Sequence, residues 1–197
     1  MRLILASQST ARRALLEAAG LDIEALPAAV DEAAIKESAQ AEGMTPADAA
    51  LMLADAKAAR VARRHPGAVV IGADQLLVSG GEWFDKPEDL AAARGQLLRL
   101  RGVAHDLVTA VVVWRDGQRA WHHVAMPRLV MRDFYDAFLD AYLAREGGFV
   151  TYSVGAYRLE GMGVQLMREV RGEHSAILGL PLLPLLAYLR DSGVIAG

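Results

Sequence analysis

The stretch that decides the fold lies near the N-terminus and reads Leu3-Ile4-Leu5-Ala6-Ser7-Gln8-Ser9-Thr10-Ala11-Arg12-Arg13. Its first four residues are apolar, and a short apolar run that ends at polar residues is typical of a buried strand. The hydroxyl-rich segment Ser7–Thr10 then supplies helix-capping side chains, and Ala11–Ala19 follows with Leu15 and Leu16 on one face. The stretch therefore predicts a strand that passes directly into a helix.

The rest of the chain continues this mixture of strands and helices. Further strands are predicted at Leu21–Leu26, Ala68–Gly72 with an extension through Val78, Asp106–Trp114, Arg119–Met131 and Val164–Val170. Further helices are predicted from Thr45 to about Arg64, from Pro87 onward, from Asp133 to Arg145 and over Leu182–Leu189. The absence of repeats and of an obvious linker favours one α/β or α+β unit.

The composition narrows the classes of protein to which the chain can belong. Its 197 residues suit one domain, and a hydrophobic content of 53% with 23% charged residues allows a packed core. A formal net charge of -3 argues against a general nucleic-acid binder, because such proteins carry a basic surplus. The chain has no cysteine, which excludes a disulfide scaffold, a zinc ribbon, an iron–sulfur site and a thiol nucleophile.

No segment has the pattern of a targeting signal or a membrane span. The N-terminal apolar run is shorter than the centre of a signal peptide. The longest apolar stretch, Leu178–Leu189, is interrupted by Gly179, Pro181 and Pro184, whereas a membrane span needs roughly 20 apolar residues. We therefore expect a soluble, cytoplasmic protein with no membrane or nucleic-acid partner.

The choice of basic residues singles out the lysines. Of 21 basic residues, only Lys36, Lys57 and Lys86 are lysine. Lys57 lies in an Ala-rich helix, where a solvated side chain is the default. Lys86 lies in a loop just before a predicted helix, which is a position from which a cation can face a phosphate.

A phosphate site is one interpretation of the segment between the first strand and the first helix. Helix N-termini present free N–H groups, and Arg12 and Arg13 add guanidinium groups that bind phosphate bidentately. The alternative is an ordinary capped helix with exposed arginines, and the spacing alone does not separate the two.

Carboxylates follow two other predicted elements. Asp74 comes at the end of the apolar strand that contains Ile71, and ligands of α/β sheets gather at the carboxyl ends of strands. It is a candidate metal ligand or general base, although a turn aspartate has the same pattern. Asp31 and Glu32, taken alone, are typical of an exposed acidic pair that opens a helix.

Together these groups suit phosphoanhydride hydrolysis. Cations neutralise a polyphosphate, and carboxylates hold a divalent metal and activate water. The sequence contains no GxxxxGK[ST], HExxH or GxSxG pattern, which excludes P-loop NTPases, zinc proteases of that type and α/β-hydrolases.

Short segments along nearly the whole chain, taken in order, resemble the Maf family of nucleoside triphosphate pyrophosphatases. They are Leu5-Ala6-Ser7-Gln8-Ser9 with Arg12-Arg13, Asp31-Glu32, Leu53-Ala54-Asp55-Ala56-Lys57-Ala58, Ile71-Gly72-Ala73-Asp74-Gln75, Lys86-Pro87, Val108-Thr109-Ala110-Val111 and Gly179-Leu180-Pro181-Leu182. Each segment is short, but the ordered set is specific.

The resemblance implies hydrolysis of a nucleoside triphosphate to the monophosphate and pyrophosphate with a divalent cation, Mg²⁺ or Mn²⁺. It implies that Asp74 is the general base or a metal-linked carboxylate, with Glu32 as its partner, and both are expected metal ligands. Lys57 and Lys86 would join them in catalysis. The expected substrate-binding residues are Ser7, Ser9, Arg12 and Arg13, the last matching an arginine found in part of the family.

The family also implies an architecture. It is an elongated α/β fold with a mixed sheet flanked by helices and a central cleft. The whole chain, residues 1–197, would form one domain with two lobes around that cleft. Lys57 is then expected to be buried against the cleft rather than solvated. The resemblance also allows a homodimer.

Ala11, Gln75 and Glu160 fall on the positions that separate two branches of the family. The branch acting on dTTP and UTP usually has Arg, Thr and Gln there, and the branch acting on 7-methyl-GTP has Trp, Gln and Glu. Gln75 and Glu160 favour a guanine-type base, because a carboxylate accepts hydrogen bonds from guanine N1–H and its amino group. Ala11 lacks the aromatic ring that would stack on a methylated base, so preference for the 7-methyl group stays open.

Two alternative functions remain, and two further side chains are candidate base contacts. One is a dTTP or UTP pyrophosphatase. Another is a nucleotide-binding regulator of septum formation and cell division with weak catalysis, which would be expected to have lost its carboxylates or lysines. Ser153 and Tyr157 are alternative base contacts.

Overall fold

The computed structural model describes residues 2–196 and has the expected α/β composition. The strands are β1 (Leu3–Leu5), β2 (Glu24–Ala25), β3 (Val69–Ser79), β4 (Glu82–Phe84), β5 (Ala104–Arg115), β6 (Gln118–Ala125), β7 (Arg128–Met131) and β8 (Met167–Arg171). The α-helices are α1 (Thr10–Ala18), α2 (Glu32–Ala41), α3 (Pro46–Ala62), α4 (Leu90–Leu100), α5 (Asp136–Glu146), α6 (His174–Ile177) and α7 (Leu182–Asp191). Short 3₁₀ helices cover Gly147–Tyr152, Val154–Ala156 and Met162–Leu166.

The strands form one mixed, eight-stranded sheet, which confirms the expected fold class. The strand order is β2-β1-β3-β5-β7-β8, with β4 beside β3 and β6 beside β5. β1 runs parallel to both β2 and β3, whereas β4, β6, β7 and β8 pair in antiparallel fashion.

The chain divides into two compact units. The first unit contains the described residues up to Gln75, Thr109–Ala125 and the described residues from Glu173 onward. The second unit contains Leu76–Val108 and Met126–Gly172. β3 and β5 therefore contribute residues to both units. The single domain with two lobes around a cleft stays a prediction.

Parallel strands organise the core of the first unit. Leu5 of β1 is in register with Ile71 of β3, and both side chains are fully buried. They pack in an apolar cluster with Leu16 of α1 and with Leu185 and Leu189 of α7. Because the two strands run in the same direction, the residues that follow β1 lie beside the part of β3 that contains Ala73 and Asp74. The strand continues past Asp74 to Ser79, so Asp74 lies within β3 and not at the strand end that the sequence pattern predicts.

Gly72 allows helix α3 to lie very close to strand β3. A Cβ atom at this position would lie 2.8 Å from the Cβ of Ala58 and would also collide with the carbonyl oxygen of Ala54. Small residues on both elements are therefore required where the helix crosses the strand. The close approach also brings Lys57, the residue before Ala58 in the helix, to the strand at Asp74.

The second unit contains a buried polar pair in its core. His105 of β5 is 1% exposed, and its Nε2 lies 2.8 Å from the hydroxyl of Tyr157. Burial, together with the positive charge of Arg128, lowers the pKa of His105 from 6.5 to about 4. Neutral His105 is therefore the form that the folded protein holds at neutral pH.

Several predicted boundaries differ from the structure. The strand expected over Arg119–Met131 is split into β6 and β7 by Met126-Pro127, because proline has no N–H to donate to a ladder. The helix expected to begin at Asp133 begins at Asp136. The guanidinium of Arg101 donates to the Phe134 carbonyl and the Asp136 carboxylate there, so the helix start is stabilised without an aspartate cap.

Two other segments were also assigned wrongly. The strand expected over Val164–Val170 begins only at Met167, and a 3₁₀ helix precedes it, because Gly163 packs against the backbone of Arg158 in a tight turn. The strand expected over Leu21–Leu26 is reduced to Glu24–Ala25. The remaining predicted elements are present with ends shifted by a few residues.

We expect Gly72→Ala to destabilise the protein. The new methyl group would force α3 away from β3, and such overpacking costs about 1–3 kcal/mol of unfolding free energy. Gly95→Ala is the matched control, because Gly95 is an exposed position of α4 with open space around its Cα. That change should stabilise the helix by about 0.5–1 kcal/mol. Equal effects of the two substitutions in urea unfolding would contradict the close-packing account.

We also expect a pH-dependent contribution from His105. Its folded pKa of about 4 lies below the unfolded value of 6.5, so the unfolded chain binds more protons between these values. Stability is therefore lost as pH falls from 6.5 to 4, by about 3 kcal/mol for a shift of this size. Urea unfolding of wild type and His105→Gln at several pH values isolates this contribution, since other groups titrate in both proteins. Parallel pH profiles for the two proteins would rule it out.

Candidate active site

The candidate site is centred on Lys57, which lies between two carboxylates in the first unit. Its Nζ lies 2.9 Å from Oε1 of Glu32 and donates a hydrogen bond to Oδ1 of Asp74. The side chains of Lys57 and Asp74 are only 9% and 6% exposed. The expectation that Lys57 is buried rather than solvated is therefore confirmed.

Each residue of this cluster comes from a different element. Lys57 lies in α3, Asp74 in β3, and Glu32 is the first residue of α2, whose N-terminus is capped by Asp31. The Asp31 side chain accepts a hydrogen bond of 3.0 Å from the N–H of Ala34, so the cap fixes the start of the helix. Asp31 is thus part of the support of the site, whereas Glu32 belongs to its charged centre.

The charges in this cluster do not cancel. One ammonium faces two carboxylates, so the cluster is net negative when all three groups are ionised. A buried carboxylate is costly unless it is paired and hydrogen-bonded, and Lys57 supplies that pairing for Asp74. Glu32 is about half exposed and keeps contact with solvent.

Arg12 lies at the start of α1 and is fixed by three acceptors. Its Nε donates to the Gly179 carbonyl at 2.7 Å, and its Nη1 donates to the Ala73 carbonyl at 3.0 Å and to the Ser7 hydroxyl at 3.3 Å. Gly179 has a positive φ of 102°, and a Cβ there would lie 3.1 Å from Nε of Arg12. Glycine at 179 therefore permits both the turn and the arginine contact.

The charge of Arg12 is coupled to the carboxylate cluster. Burial lowers the pKa of the Arg12 guanidinium, while the negative charges of Asp74 and Glu32 act in the opposite direction. A guanidinium stays protonated in proteins, so Arg12 brings a fixed positive charge to the two acids. Arg12, Asp74 and Glu32 thus form one electrostatic site.

Ser7 and Ser9 organise the turn between β1 and α1. The Ser7 hydroxyl accepts from the N–H of Ser9 at 3.1 Å, and the Ser9 hydroxyl accepts from the N–H of Arg12 at 3.3 Å. Ser9 is the N-cap of α1, as its place in the sequence predicts. The helix N-terminus, with its free N–H groups, therefore lies beside Arg12.

Arg13 is placed differently from Arg12. Its Nε donates to Glu17, one turn along the same helix, at 2.7 Å, and both side chains are largely exposed. Ala11, the first of the three branch-specific positions, is half-buried. The structure thus brings Arg12 into the site and gives Arg13 a partner on the surface of α1.

Gln75 follows Asp74 and is anchored through its amide nitrogen. Nε2 donates to the Thr109 hydroxyl at 2.8 Å and lies 3.0 and 3.1 Å from the carbonyl oxygens of Ala176 and Ile177. The amide nitrogen is thereby committed to protein acceptors. The side-chain oxygen of Gln75 is the end that can accept a hydrogen bond from a ligand.

Lys86 and Glu160 belong to the second unit. Lys86 is exposed in the loop between β4 and α4, where Asp89 caps the helix by accepting from the N–H of Ala92 at 2.7 Å. Glu160 is exposed in the turn before the 3₁₀ helix Met162–Leu166. Their predicted roles in catalysis and base recognition stay predictions.

The alternative base contacts have other partners. The hydroxyl of Tyr157 is buried against His105, and that of Ser153 donates to the Tyr157 carbonyl at 2.8 Å. Both hydroxyls therefore support the local backbone. These contacts argue against either side chain as the group that reads a base.

Some supporting residues had little signal in the sequence. Gly179 and Ala73 hold Arg12 through backbone carbonyls, which any residue type carries. Thr109 and Gly179 lie in segments that carry the family resemblance, but no role for them follows from the residue type alone. Glu146 is charged yet has a side chain only 9% exposed, and sequence reasoning missed it.

The chain is similar in sequence to known proteins along nearly its whole length. The profile of the Maf-like protein family matches residues 2–192. The chain belongs to the Maf family. The resemblance carried by the short ordered segments is thereby confirmed. Within residues 2–196, no helix of the Maf protein combines the length and apolarity needed to cross a membrane.

Maf relatives match the chain over nearly its full length. A nucleoside triphosphate pyrophosphatase of Granulibacter bethesdensis is 56% identical over 191 residues, covering 97% of each chain. A protein of the same name from Paramagnetospirillum magneticum is 54% identical, covering 96% of this chain and 98% of the relative. A 7-methyl-GTP pyrophosphatase of Mesorhizobium japonicum is 48% identical, covering 100% of this chain and 98% of the relative.

We expect Lys57→Met to destabilise the protein by about 3–5 kcal/mol, because it leaves Asp74 as a buried charge without its cation. Adding Asp74→Asn should recover part of this loss, since the second change removes the unpaired charge. Lys36→Met in α2 is the control and should cost less than about 1 kcal/mol. Urea unfolding of the three variants measures the differences. The pairing account fails if Lys57→Met is no more harmful than the control.

Proposed function

We propose that this Maf protein hydrolyses a nucleoside triphosphate to the nucleoside monophosphate and pyrophosphate. The observation that carries the proposal is the buried Asp74–Lys57 pair with the half-exposed Glu32 on the same ammonium, to which Arg12 is electrostatically coupled. Carboxylates beside fixed cations are the groups that position water and neutralise a polyphosphate. The names of the relatives support the same reaction.

The phosphates would bind at the N-terminus of α1. The free N–H groups of this helix end and its positive dipole favour an anion. Arg12 adds a guanidinium that is already oriented by Gly179, Ala73 and Ser7, so little side-chain freedom is lost on binding. Lys86 is proposed as a further phosphate contact on the basis of the family resemblance.

Asp74 is proposed as the base that activates the attacking water. It accepts the water proton while the water oxygen attacks the α-phosphorus. The bond between that phosphorus and the oxygen bridging to the β-phosphorus breaks, and pyrophosphate leaves with the electron pair. Lys57 donates a hydrogen bond to Oδ1 of Asp74 and so holds the carboxylate in place before the reaction. The proton then passes to solvent, which restores the carboxylate.

The donor set fits a divalent cation that is held jointly with substrate. Asp74 and Glu32 converge on one ammonium, so their oxygens face a common region. Within the described residues, no group of three or more His, Cys, Asp or Glu side chains is arranged to hold a metal. Mg²⁺ is usually bound by one or two carboxylates together with substrate phosphates and water. When bound by Asp74 and Glu32, the cation would neutralise phosphate charge and acidify water.

A guanine-type base is the proposed specificity, with Gln75 and Glu160 as its determinants. The carboxylate of Glu160 can accept from both donors on the guanine edge, which uracil and thymine do not carry in that arrangement. Ala11 offers no ring for stacking, so the proposal covers guanine nucleotides in general and leaves preference for the 7-methyl group open. The intact carboxylates and lysines favour an enzyme over a nucleotide-binding regulator.

The test is turnover of GTP, 7-methyl-GTP, dTTP and UTP with Mg²⁺ or Mn²⁺, with pyrophosphate and orthophosphate measured separately. We expect pyrophosphate from the guanine nucleotides and a loss of roughly 10²–10⁴-fold in kcat for Asp74→Asn. Asp106→Asn is the control, because Asp106 is also a strand carboxylate with a basic partner, Arg128. Its kcat should stay near that of the wild type.

Each outcome of that experiment is informative. Orthophosphate as the first product would refute attack at the α-phosphorus. Full activity of Asp74→Asn would remove Asp74 as the base. Faster turnover of dTTP or UTP than of the guanine nucleotides would overturn the proposed base preference while leaving the pyrophosphatase reaction in place.

A further inference from the structure

Glu146, at the C-terminal end of α5, is a nearly buried carboxylate that the reaction above does not use. Its side chain is only 9% exposed although it carries a charge. A buried carboxylate is costly unless other groups pair with it. The role of Glu146 can therefore be inferred from the groups that pair with its carboxylate.

Those partners flank Glu160 on both sides along the chain. Oε1 of Glu146 accepts a hydrogen bond from the N–H of Met162 at 3.2 Å, and Oε2 lies 3.7 Å from Nη1 of Arg158. Gly161 packs directly against the same carboxylate, since a Cβ there would lie 3.0 Å from Oε1. Glu146 thus contacts Arg158, two residues before Glu160, and Met162, two residues after it.

Arg158 links the buried carboxylate to the exposed one. Its Nε donates to Oε1 of Glu160 at 3.3 Å, while its Nη1 faces Glu146. The guanidinium also lies over the ring of Phe149, 5.3 Å from the ring centre. Arg158 is therefore held on two sides, and its third contact orients the Glu160 carboxylate.

The backbone around Glu160 is correspondingly tight. The N–H of Gly161 donates to the Arg158 carbonyl at 3.2 Å, and a Cβ at Gly163 would lie 2.7 Å from the Arg158 nitrogen. An exposed glutamate on a free loop would lose side-chain and backbone entropy on binding a base. This turn has lost most of that freedom before any ligand arrives.

We propose that Glu146 and Arg158 are specificity-positioning residues, which fix the turn and the carboxylate of Glu160 for recognition of a guanine edge. The proposal rests on the proposed role of Glu160. A carboxylate has about four acceptor sites, so the contact with Arg158 leaves sites for the two guanine donors. The contact with Arg158 Nε fixes one oxygen of the Glu160 carboxylate and so sets the direction in which the carboxylate faces.

The test is the binding of GMP and UMP, which involves no turnover, combined with pyrophosphate release from GTP and UTP. We expect Glu146→Gln and Arg158→Gln each to raise the Kd of GMP and the KM of GTP about tenfold, with kcat within about twofold. The constants for UMP and UTP should stay within about twofold of wild type. Arg158→Lys, which keeps the charge, should recover part of the GMP affinity.

Two controls separate positioning from a general structural effect. Glu146→Gln made in a Glu160→Gln background should cause no further loss of GMP affinity, because the residue acts through Glu160. Glu169→Gln and Arg171→Ala break an exposed Arg–Glu pair of the same two-residue spacing in the same unit, and both should leave the GMP/UMP ratio unchanged. Thermal unfolding of every variant confirms that it is folded.

Some results would overturn the inference. It fails if the variants weaken GMP and UMP equally, if the double variant shows additive losses, or if wild type binds GMP no better than UMP. Discrimination between GMP and UMP without pyrophosphate release would instead refute the proposed reaction and leave this inference standing.

Discussion

The buried ion pair between Lys57 and Asp74 is the interaction on which the rest of the site depends. It exists because Gly72, Ala54 and Ala58 let α3 approach β3 closely, so that a lysine on the helix reaches a carboxylate on the strand. A larger side chain at this crossing would separate the two charges and leave each one buried alone. The close packing of small residues is therefore a condition for the ion pair. Ala58, which packs on Gly72, is the neighbour of Lys57 in the same helix.

Arg12 connects this ion pair to the α1 end of the site. Its guanidinium is held by the carbonyls of Gly179 and Ala73, and Ala73 immediately precedes Asp74. The N-terminus of α1, where the phosphates are proposed to bind, is thus held close to Asp74, the proposed base. Positioning of a phosphate relative to its nucleophile is most of what phosphoanhydride hydrolysis asks of a protein. A phosphate bound at α1 would be placed by the same strand residues that carry the base.

The sequence indicated the charged residues of the candidate site better than the contacts that support them. Lys57 could be singled out because lysine is rare in this chain, and Asp74 because a carboxylate follows the apolar run Ala68–Gly72, although β3 continues past it to Ser79. Glycines and prolines marked most element ends correctly, but the α5 start failed because Arg101, 35 residues from Asp136, takes the place of a local cap. The carbonyls that hold Arg12 could not be predicted either, because every residue type carries a backbone carbonyl. The features that could not be predicted, the start of α5 and the acceptors of Arg12, depend on contacts between residues far apart in the sequence.

In the proposed function, the two ionic clusters have separate tasks, one in the reaction and the other in recognition of the base. In the first unit, a lysine is shared by two carboxylates, so its ammonium group holds both acids at one place. In the second unit, an arginine is shared by two carboxylates, one nearly buried and one exposed, so the exposed one is presented in a fixed orientation. A compact ammonium suits the first arrangement, whereas a guanidinium with several donors suits the second, because it can contact two acids and an aromatic face together. The choice of lysine in one place and arginine in the other follows from these geometric demands, in a chain that otherwise uses arginine almost throughout.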